Sequence, residues 1–248
     1  MRCGIFRKYA IVTTIPCKSQ KKRNFAADYH FSHIFNFIPY IINISPHNLP
    51  MILFPNAKIN LGLDILRRRP DGYHDIETVM FPVPWRDVLE IVPAKGNETT
   101  LTVSGRHVDC PPEKNLVMKA YRALAERVEI PPVDIFLRKI IPDGAGLGGG
   151  SADAAFTLKG LNDLFALDLS DNDLAEIAAG LGADCPFFIY NRPMLCTGIG
   201  TEFTPVDLDL SGLTLVIVKP QTSVPTAEAY RHTTPAMPQT PIAEIIRQ

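Results

Sequence analysis

Beyond Pro55 the chain alternates strictly, with Ile59, Leu61, Leu63 and Ile65 on one side and Lys58, Asn60, Gly62 and Asp64 on the other. A period of two predicts a half-buried strand and sets Lys58 and Asn60 on the same face. Pro70-Asp71-Gly72 predicts a reversal, and strand-like runs follow at Thr78–Val83, Val88–Val92 and Leu101–Ser104. Helical spacing begins after Pro111-Pro112, where Asn115 is placed to cap a helix carrying Val117, Ala120, Leu124 and Val128. Val133–Ile141 reads as a strand that runs into a glycine-rich stretch, and Ala154, Leu158, Leu161 and Phe165 then mark a second helix. Ser170 and Asp173 open a third, with Leu174, Ile177, Ala178 and Leu181 on its apolar face and Gly182 as its stop, which leaves Asp184 in a turn. Next are expected a strand over Cys185–Tyr190, a hairpin around Gly198 and Gly200, and an apolar strand over Leu213–Val218 that needs cover on both faces. A proline-rich stretch (Pro220, Pro225, Pro235, Pro238, Pro241) leads to Ile242–Ile246, where a helix begins.

Residues 1–50 do not share this patterning. They carry seven basic residues and one acidic residue out of chain totals of 25 and 26, so the remaining 198 hold 18 basic and 25 acidic, a net of −7. Such a basic, acid-poor segment without a persistent period suits either a targeting peptide or an extension ahead of a start at Met51, and the second is expected because the first fold signal begins there. An acidic body disfavours nucleic-acid binding. The composition, 46% apolar and 21% charged, excludes disorder and collagen, and no apolar run is long enough to span a membrane. Five scattered cysteines (Cys3, Cys17, Cys110, Cys185, Cys196) form no metal or disulfide pattern, which fits a reducing cytoplasm.

The glycine-rich stretch changes the picture most. Five of the seven positions from 144 to 150 are glycine, out of sixteen in the chain. Each removes a Cβ that would keep an anion from the backbone, so successive N–H groups can form a concave nest. Ser151 and the first turn of the following helix add unpaired donors and the positive end of a dipole, which suits a polyphosphate. A flexible linker or a simple turn is the competing reading, but a strand before and a periodic helix after argue against it. The stretch lacks G-x-x-x-x-G-K-[ST], and its formal match to G-x-G-x-x-G is weak by itself.

Pro142-x-x-x-Gly146-Leu147-Gly148-x-x-Ser151 resembles the ATP-binding motif of the GHMP kinases. Pro55-Asn-Ala-Lys58-Ile-Asn60-Leu, Pro70-Asp-Gly-Tyr73-His74 and Gly182-Ala-Asp184-Cys-Pro186-Phe look like the branch that phosphorylates the 2-hydroxyl of a methylerythritol carried on cytidine diphosphate, in the non-mevalonate route to isoprenoids. The resemblance runs from Met51 to the end of the chain. It implies an α+β GHMP kinase fold, with a ribosomal-protein-like ATP-binding domain over 51–205 and the beginning of a ferredoxin-like C-terminal domain over 206–248. It also implies ATP with Mg²⁺, bound by Pro142, Gly144, Gly146, Leu147, Gly148, Gly149, Gly150 and Ser151, with Asn115 near the adenine and Ser151 as a metal ligand. Asn115 and Ser151 are also explained by helix capping alone.

By the same resemblance Asp184 is the base, Lys58 its cationic partner, and Asn60 a group that orients substrate or lysine. Taken as residues only, a turn aspartate such as Asp184 is more often a cap or surface residue, a mid-strand lysine such as Lys58 usually points to water, and Asn60 reads as a polar edge-strand residue. Tyr73 and Tyr230 are implied to sandwich a cytosine whose edge His74 reads, with Thr226 on the substrate side and Met80 where the family often has an aromatic; an ordinary half-buried Tyr73 and surface Tyr230 are the alternatives. A small-molecule kinase acting as monomer or weak homodimer, with no nucleic-acid or membrane partner, is the expectation, and a plastid setting would follow only from a genuine transit peptide. Another GHMP kinase, or a chain that binds nucleotide without catalysis because it stops inside its second domain, are the alternatives.

Overall fold

In the computed structural model, residues 50–219 and 233–246 are described; the expectations for residues 1–49 and for Thr226 and Tyr230 lie outside them. Eight strands form two four-stranded sheets. The first takes β1 (Met51–Leu53), β4 (Val88–Pro93), β5 (Thr100–Gly105) and β6 (Val133–Lys139) in the order β1-β4-β6-β5, antiparallel except for the parallel β5/β6 pair. The second takes β2 (Asn56–Arg68), β3 (His74–Arg86), β7 (Met194–Thr197) and β8 (Glu202–Pro205) in chain order, all antiparallel.

Helices α1 (Leu116–Ala125), α2 (Gly149–Leu164), α3 (Asp171–Ala179) and α4 (Cys185–Tyr190) bury their apolar faces with Leu89, Ile91, Ile135 and Leu137 of the first sheet in the main core. α1 starts where Asn115 accepts a hydrogen bond from the Val117 N–H at 3.0 Å. α3 starts with a capping box between Ser170 and Asp173, and it ends at Ala179, one turn earlier than the Gly182 stop expected. A one-turn helix, α5 (Ile242–Ile245), docks on β3 through the Glu77 carboxylate, which accepts from the Ile242 and Ala243 N–H groups at 2.9 and 3.3 Å.

Two expected strands are absent from the described residues. Cys185–Tyr190 is helix α4: a short apolar run carries no period that separates strand from buried helix, and Pro186 suits a first helical turn. Six residues cannot hold a helix alone. Burial of Cys185, Pro186, Phe187, Phe188 and Ile189 does so, each large apolar side chain contributing roughly 1.5–3 kcal/mol. The Lys159 ammonium donates to the Ile189 carbonyl at 2.9 Å, and Asn191, in the left-handed region at φ 48°, closes the end by donating its N–H to Phe187. Leu213–Val218 makes only an isolated bridge at Val216. Leu215 and Ile217 pack on the cluster of Ala57, Ile59, Val83 and Ile141, while Leu213, Val216 and Val218 are exposed, so this segment is covered on one side only. The alternation along β2 also breaks, with irregular register between Leu61 and Asp64 and again between Ile65 and Arg67.

Candidate functional site

β6 delivers the chain into the glycine loop and α2 takes it away. Gly144, Gly146 and Gly148 have φ of 62°, 70° and 70°, a region that L side chains rarely enter, so the loop's path needs glycine there. A Cβ on Gly144 or Gly146 would meet nothing within 4 Å: these two face open space. The loop from Pro142 to Ser151, with Leu116, lines a hollow of about 240 Å³. α2 is 16 residues long and its cap, Gly148, offers no side-chain acceptor to the first-turn N–H groups, which leaves donors for an anion. The eight loop residues expected to bind phosphate are thus brought to one hollow. Leu147 turns its side chain into the apolar cluster under the loop and can contribute only backbone. Asn115 spends its carbonyl oxygen on capping α1, and its neighbour Leu116 is the lining residue.

Lys58 enters the same place from the second sheet. Its N–H donates to the Leu147 carbonyl at 2.9 Å, tying β2 to the loop. Its side chain does not point to water: it is 6% exposed, with Nζ 3.2 Å from an Asp184 Oδ and donating to Asn60 Oδ1 at 2.7 Å. A buried ammonium is tolerable because Asn60 accepts from it and Asp184 balances its charge. Asp184 stands at the start of α4 but caps nothing with its side chain, so the capping alternative is not realised, and at 34% exposure it stays open to solvent while pairing with Lys58. A Cβ on Gly148 would lie 3.0 Å from Lys58 Cγ and 2.7 Å from the Phe188 ring. Loop, lysine and α4 are therefore in mutual contact. Ser151 hydrogen-bonds the Cys185 thiol, which burial pushes up to about 11, so that cysteine is an inert neighbour.

The structure adds three charged residues that sequence reasoning missed. Lys139, the last residue of β6, donates to Asp87 and, at 2.6 Å, to Asp153 on α2. All three are buried. Asp87 also accepts from the Ile140 and Ile141 N–H groups, so the cluster ties both ends of the glycine loop together. Asp153 Oδ1 has no partner, and burial, with Asp87 adding to it against Lys139, pushes its carboxyl up to about 7. Burial alone would lower Lys139, but Asp153 and Asp87 outweigh it and hold the ammonium above its ordinary range. A usable signal was present: Lys139 continues the inward phase of Val133, Ile135 and Leu137, where a cation needs a buried partner.

Tyr73 and His74 lie together at the turn end of the β2–β3 hairpin, where His74 pairs with Arg68; Lys58 pairs with Pro82 toward the other end. Tyr73 is not a core residue: it is 62% exposed, and its N–H donates to Asp71. Met80 is buried and sits opposite Asn60.

A glycine nest at a helix N-terminus, faced by a lysine–aspartate pair, defines a GHMP-type small-molecule kinase, and residues 115–192 match the model of the GHMP kinases N terminal domain. Over 197 residues the chain is 57% identical to a 4-diphosphocytidyl-2-C-methyl-D-erythritol kinase of Parabacteroides distasonis, covering 79% of this chain and 72% of that one. Against the enzyme of the same name from Bacteroides fragilis the identity is 54% over 200 residues, 80% of this chain and 73% of the relative. A crystal structure of a 4-(cytidine 5'-diphospho)-2C-methyl-D-erythritol kinase superposes with a TM-score of 0.64 at 32% identity, covering 79% of this chain and 70% of the other. The chain belongs to the 4-diphosphocytidyl-2-C-methyl-D-erythritol kinase family.

Proposed function

We propose that the chain transfers the γ-phosphoryl group of ATP to the 2-hydroxyl of 4-diphosphocytidyl-2-C-methyl-D-erythritol. The observation that carries this reading is the Lys58–Asp184 pair, 3.2 Å apart and in contact through Lys58 with Gly148 of the anion-binding loop. Asp184 accepts the proton of the acceptor hydroxyl, that oxygen bonds to the γ-phosphorus, and ADP leaves as the bond to its bridging oxygen breaks. Lys58 offsets charge building on the transferred group. The loop N–H groups from Gly144 to Ser151 hold the phosphates. Mg²⁺ would come with the nucleotide: among the described residues no group of three His, Cys, Asp or Glu side chains could hold a metal, and the Ser151 hydroxyl is the ligand the chain offers beside the phosphates.

On the acceptor side, Tyr73 with Tyr230 would stack a cytosine, His74 would read its edge and Thr226 would line the substrate path. Tyr73's exposure supports this, since a stacking platform must be reachable. The acceptor is a small molecule, and the cytoplasm is the setting this reading proposes; no helix among the described residues is long and apolar enough to cross a membrane. A coupled assay of ADP release, with acceptor and ATP varied separately, tests the assignment. Turnover should require the cytidine-bearing acceptor, and comparable turnover of the cytidine-free methylerythritol phosphate, mevalonate or homoserine would overturn it.

A further inference from the structure

The Lys58 ammonium donates to Asn60 Oδ1 at 2.7 Å and forms an ion pair with Asp184 at 3.2 Å. Its aim at a ligand holds only if both partners stay where they are. Asp184 is fixed by α4, but Asn60 lies on a half-buried strand face where its amide could turn over and present NH₂ to the ammonium. One residue prevents this.

Thr78, on β3, is fully buried. Its hydroxyl donates to the Gly62 carbonyl at 2.6 Å. A hydroxyl has one proton, so Thr78 Oγ1 then offers only lone pairs to its other neighbour, and that neighbour is the Asn60 Nδ2 at 3.0 Å. The amide's NH₂ is held toward Thr78, and Oδ1 is held toward Lys58. Turning the amide over would set oxygen against lone pairs on one side and NH₂ against NH₃⁺ on the other. The Gly62 carbonyl is available because the β2 register shifts between Leu61 and Asp64, and Gly62 itself has a φ of 69° with Ile242 of α5 packed where a Cβ would be, 2.8 Å from the Ile242 Cδ1. The docked α5 thus backs the first link of the chain Gly62–Thr78–Asn60–Lys58.

We propose that Thr78 is a positioning residue for phosphoryl transfer, fixing the Asn60 amide by the direction of its own hydroxyl proton and so aiming the Lys58 ammonium. This rests on the role given to Lys58 and Asp184 above. Thr78→Val keeps shape and removes the proton, and turnover should fall about tenfold with ATP KM unchanged, the size of one hydrogen bond of this kind. Thr78→Ser keeps the hydroxyl and should stay within about twofold of the parent. Combined with Asn60→Ala, Thr78→Val should add no further loss, because the amide through which it acts is gone. In the unaltered protein the Asn60 side-chain amide protons should exchange slowly in nitrogen-15 spectra. Equal losses for Val and Ser, an additive loss in the Asn60→Ala background, or fast-exchanging Asn60 amide protons would each overturn the proposal. Failure of the roles given to Lys58 and Asp184 looks different: Lys58→Ala and Asp184→Asn would then keep turnover, whatever Thr78 does, and failure of the kinase reading itself would leave the parent without ADP release.

Discussion

A single methyl group at Gly148 tests how the site is assembled. Its backbone has φ of 70°, and a Cβ there would lie 2.7 and 2.9 Å from two atoms of the Phe188 ring and 3.0 Å from Lys58 Cγ. The left-handed conformation costs an alanine about 1–2 kcal/mol. Overpacking against a fully buried phenylalanine adds about 1–3 kcal/mol. Gly148→Ala should therefore destabilise by roughly 2–5 kcal/mol, less than the 5–15 kcal/mol typical of a domain, so the variant stays folded. Relief comes most easily from the lysine stem, and moving it carries the ammonium away from Asn60 and Asp184; a displacement near 1 Å can lower turnover by about 100-fold. Gly146→Ala is the control. It has the same φ of 70° but meets nothing within 4 Å, so only the roughly 1–2 kcal/mol conformational cost applies, and the loss should appear in ATP KM because the methyl occupies ligand space. Urea unfolding gives the stabilities, and ADP release with each substrate varied gives the kinetics. If Gly148→Ala were no less stable than Gly146→Ala and kept full turnover, the mutual contact of loop, lysine and α4 would be refuted.

Asp184→Asn should abolish turnover while ATP binding, measured by titration calorimetry, stays nearly unchanged, and Lys58→Ala should also lose rate strongly; an equal loss of nucleotide affinity in Asp184→Asn would make that residue structural or metal-linked instead. His74→Ala should raise the acceptor KM far more than the ATP KM, since the histidine lies at the hairpin tip and not at the glycine loop. Asp153 makes stability depend on pH: its carboxyl titrates near 7 when folded but near 3.8 otherwise, so the folded state holds the extra proton between those values and stability falls as pH rises from about 4 to about 7, by up to about 1.4 kcal/mol per unit. Asp153→Asn should remove that slope in urea unfolding series, and parallel curves for parent and variant would show that the carboxyl is not raised.

Much of this was legible wherever local pattern and local chemistry agree. The turn at Pro70-Asp71-Gly72, the Asn115 cap, the Ser170 box and the strand–glycine–helix unit each lie within a few residues of the groups that cause them. Asp184 was found through its motif and not its surroundings, and its pairing with Lys58 joins residues from two different elements. What escaped shares one physical cause, dependence on partners remote in the chain. Cys185–Tyr190 has an apolar run that either a strand or a helix can bury, and the choice fell to Lys159, Asn191 and the core around α4. Leu213–Val218 reads as a buried strand only if something lies on both sides, and the described residues cover one. The Asp87–Lys139–Asp153 cluster joins positions 52 and 14 residues apart, so only the inward phase of Lys139 along β6 could have hinted at it.

The two sheets carry different parts of the candidate site, and they share the main core, where Met80, Met194 and Cys196 pack with Leu89, Ile91, Ile135 and Leu137. The glycine loop belongs to the first layer, anchored at both ends by the buried charge cluster. The lysine and its asparagine belong to the second, on a strand whose irregular stretch at Gly62 is braced by α5. At the seam Lys58 meets the loop twice, once through its backbone N–H to the Leu147 carbonyl and once where its stem fills the space beside Gly148. Asn56, two residues earlier on β2, accepts from the Asn191 side chain that follows α4, at 2.8 Å. The same short stretch of β2 thus fixes the loop on one side and the Asp184-bearing helix on the other. A phosphoryl donor and a base must be held to well under an ångström for in-line transfer. On the proposed mechanism, placing Lys58 on the strand that touches both meets that demand with one residue's backbone and side chain, and a mid-strand lysine, usually a solvated one, is buried here.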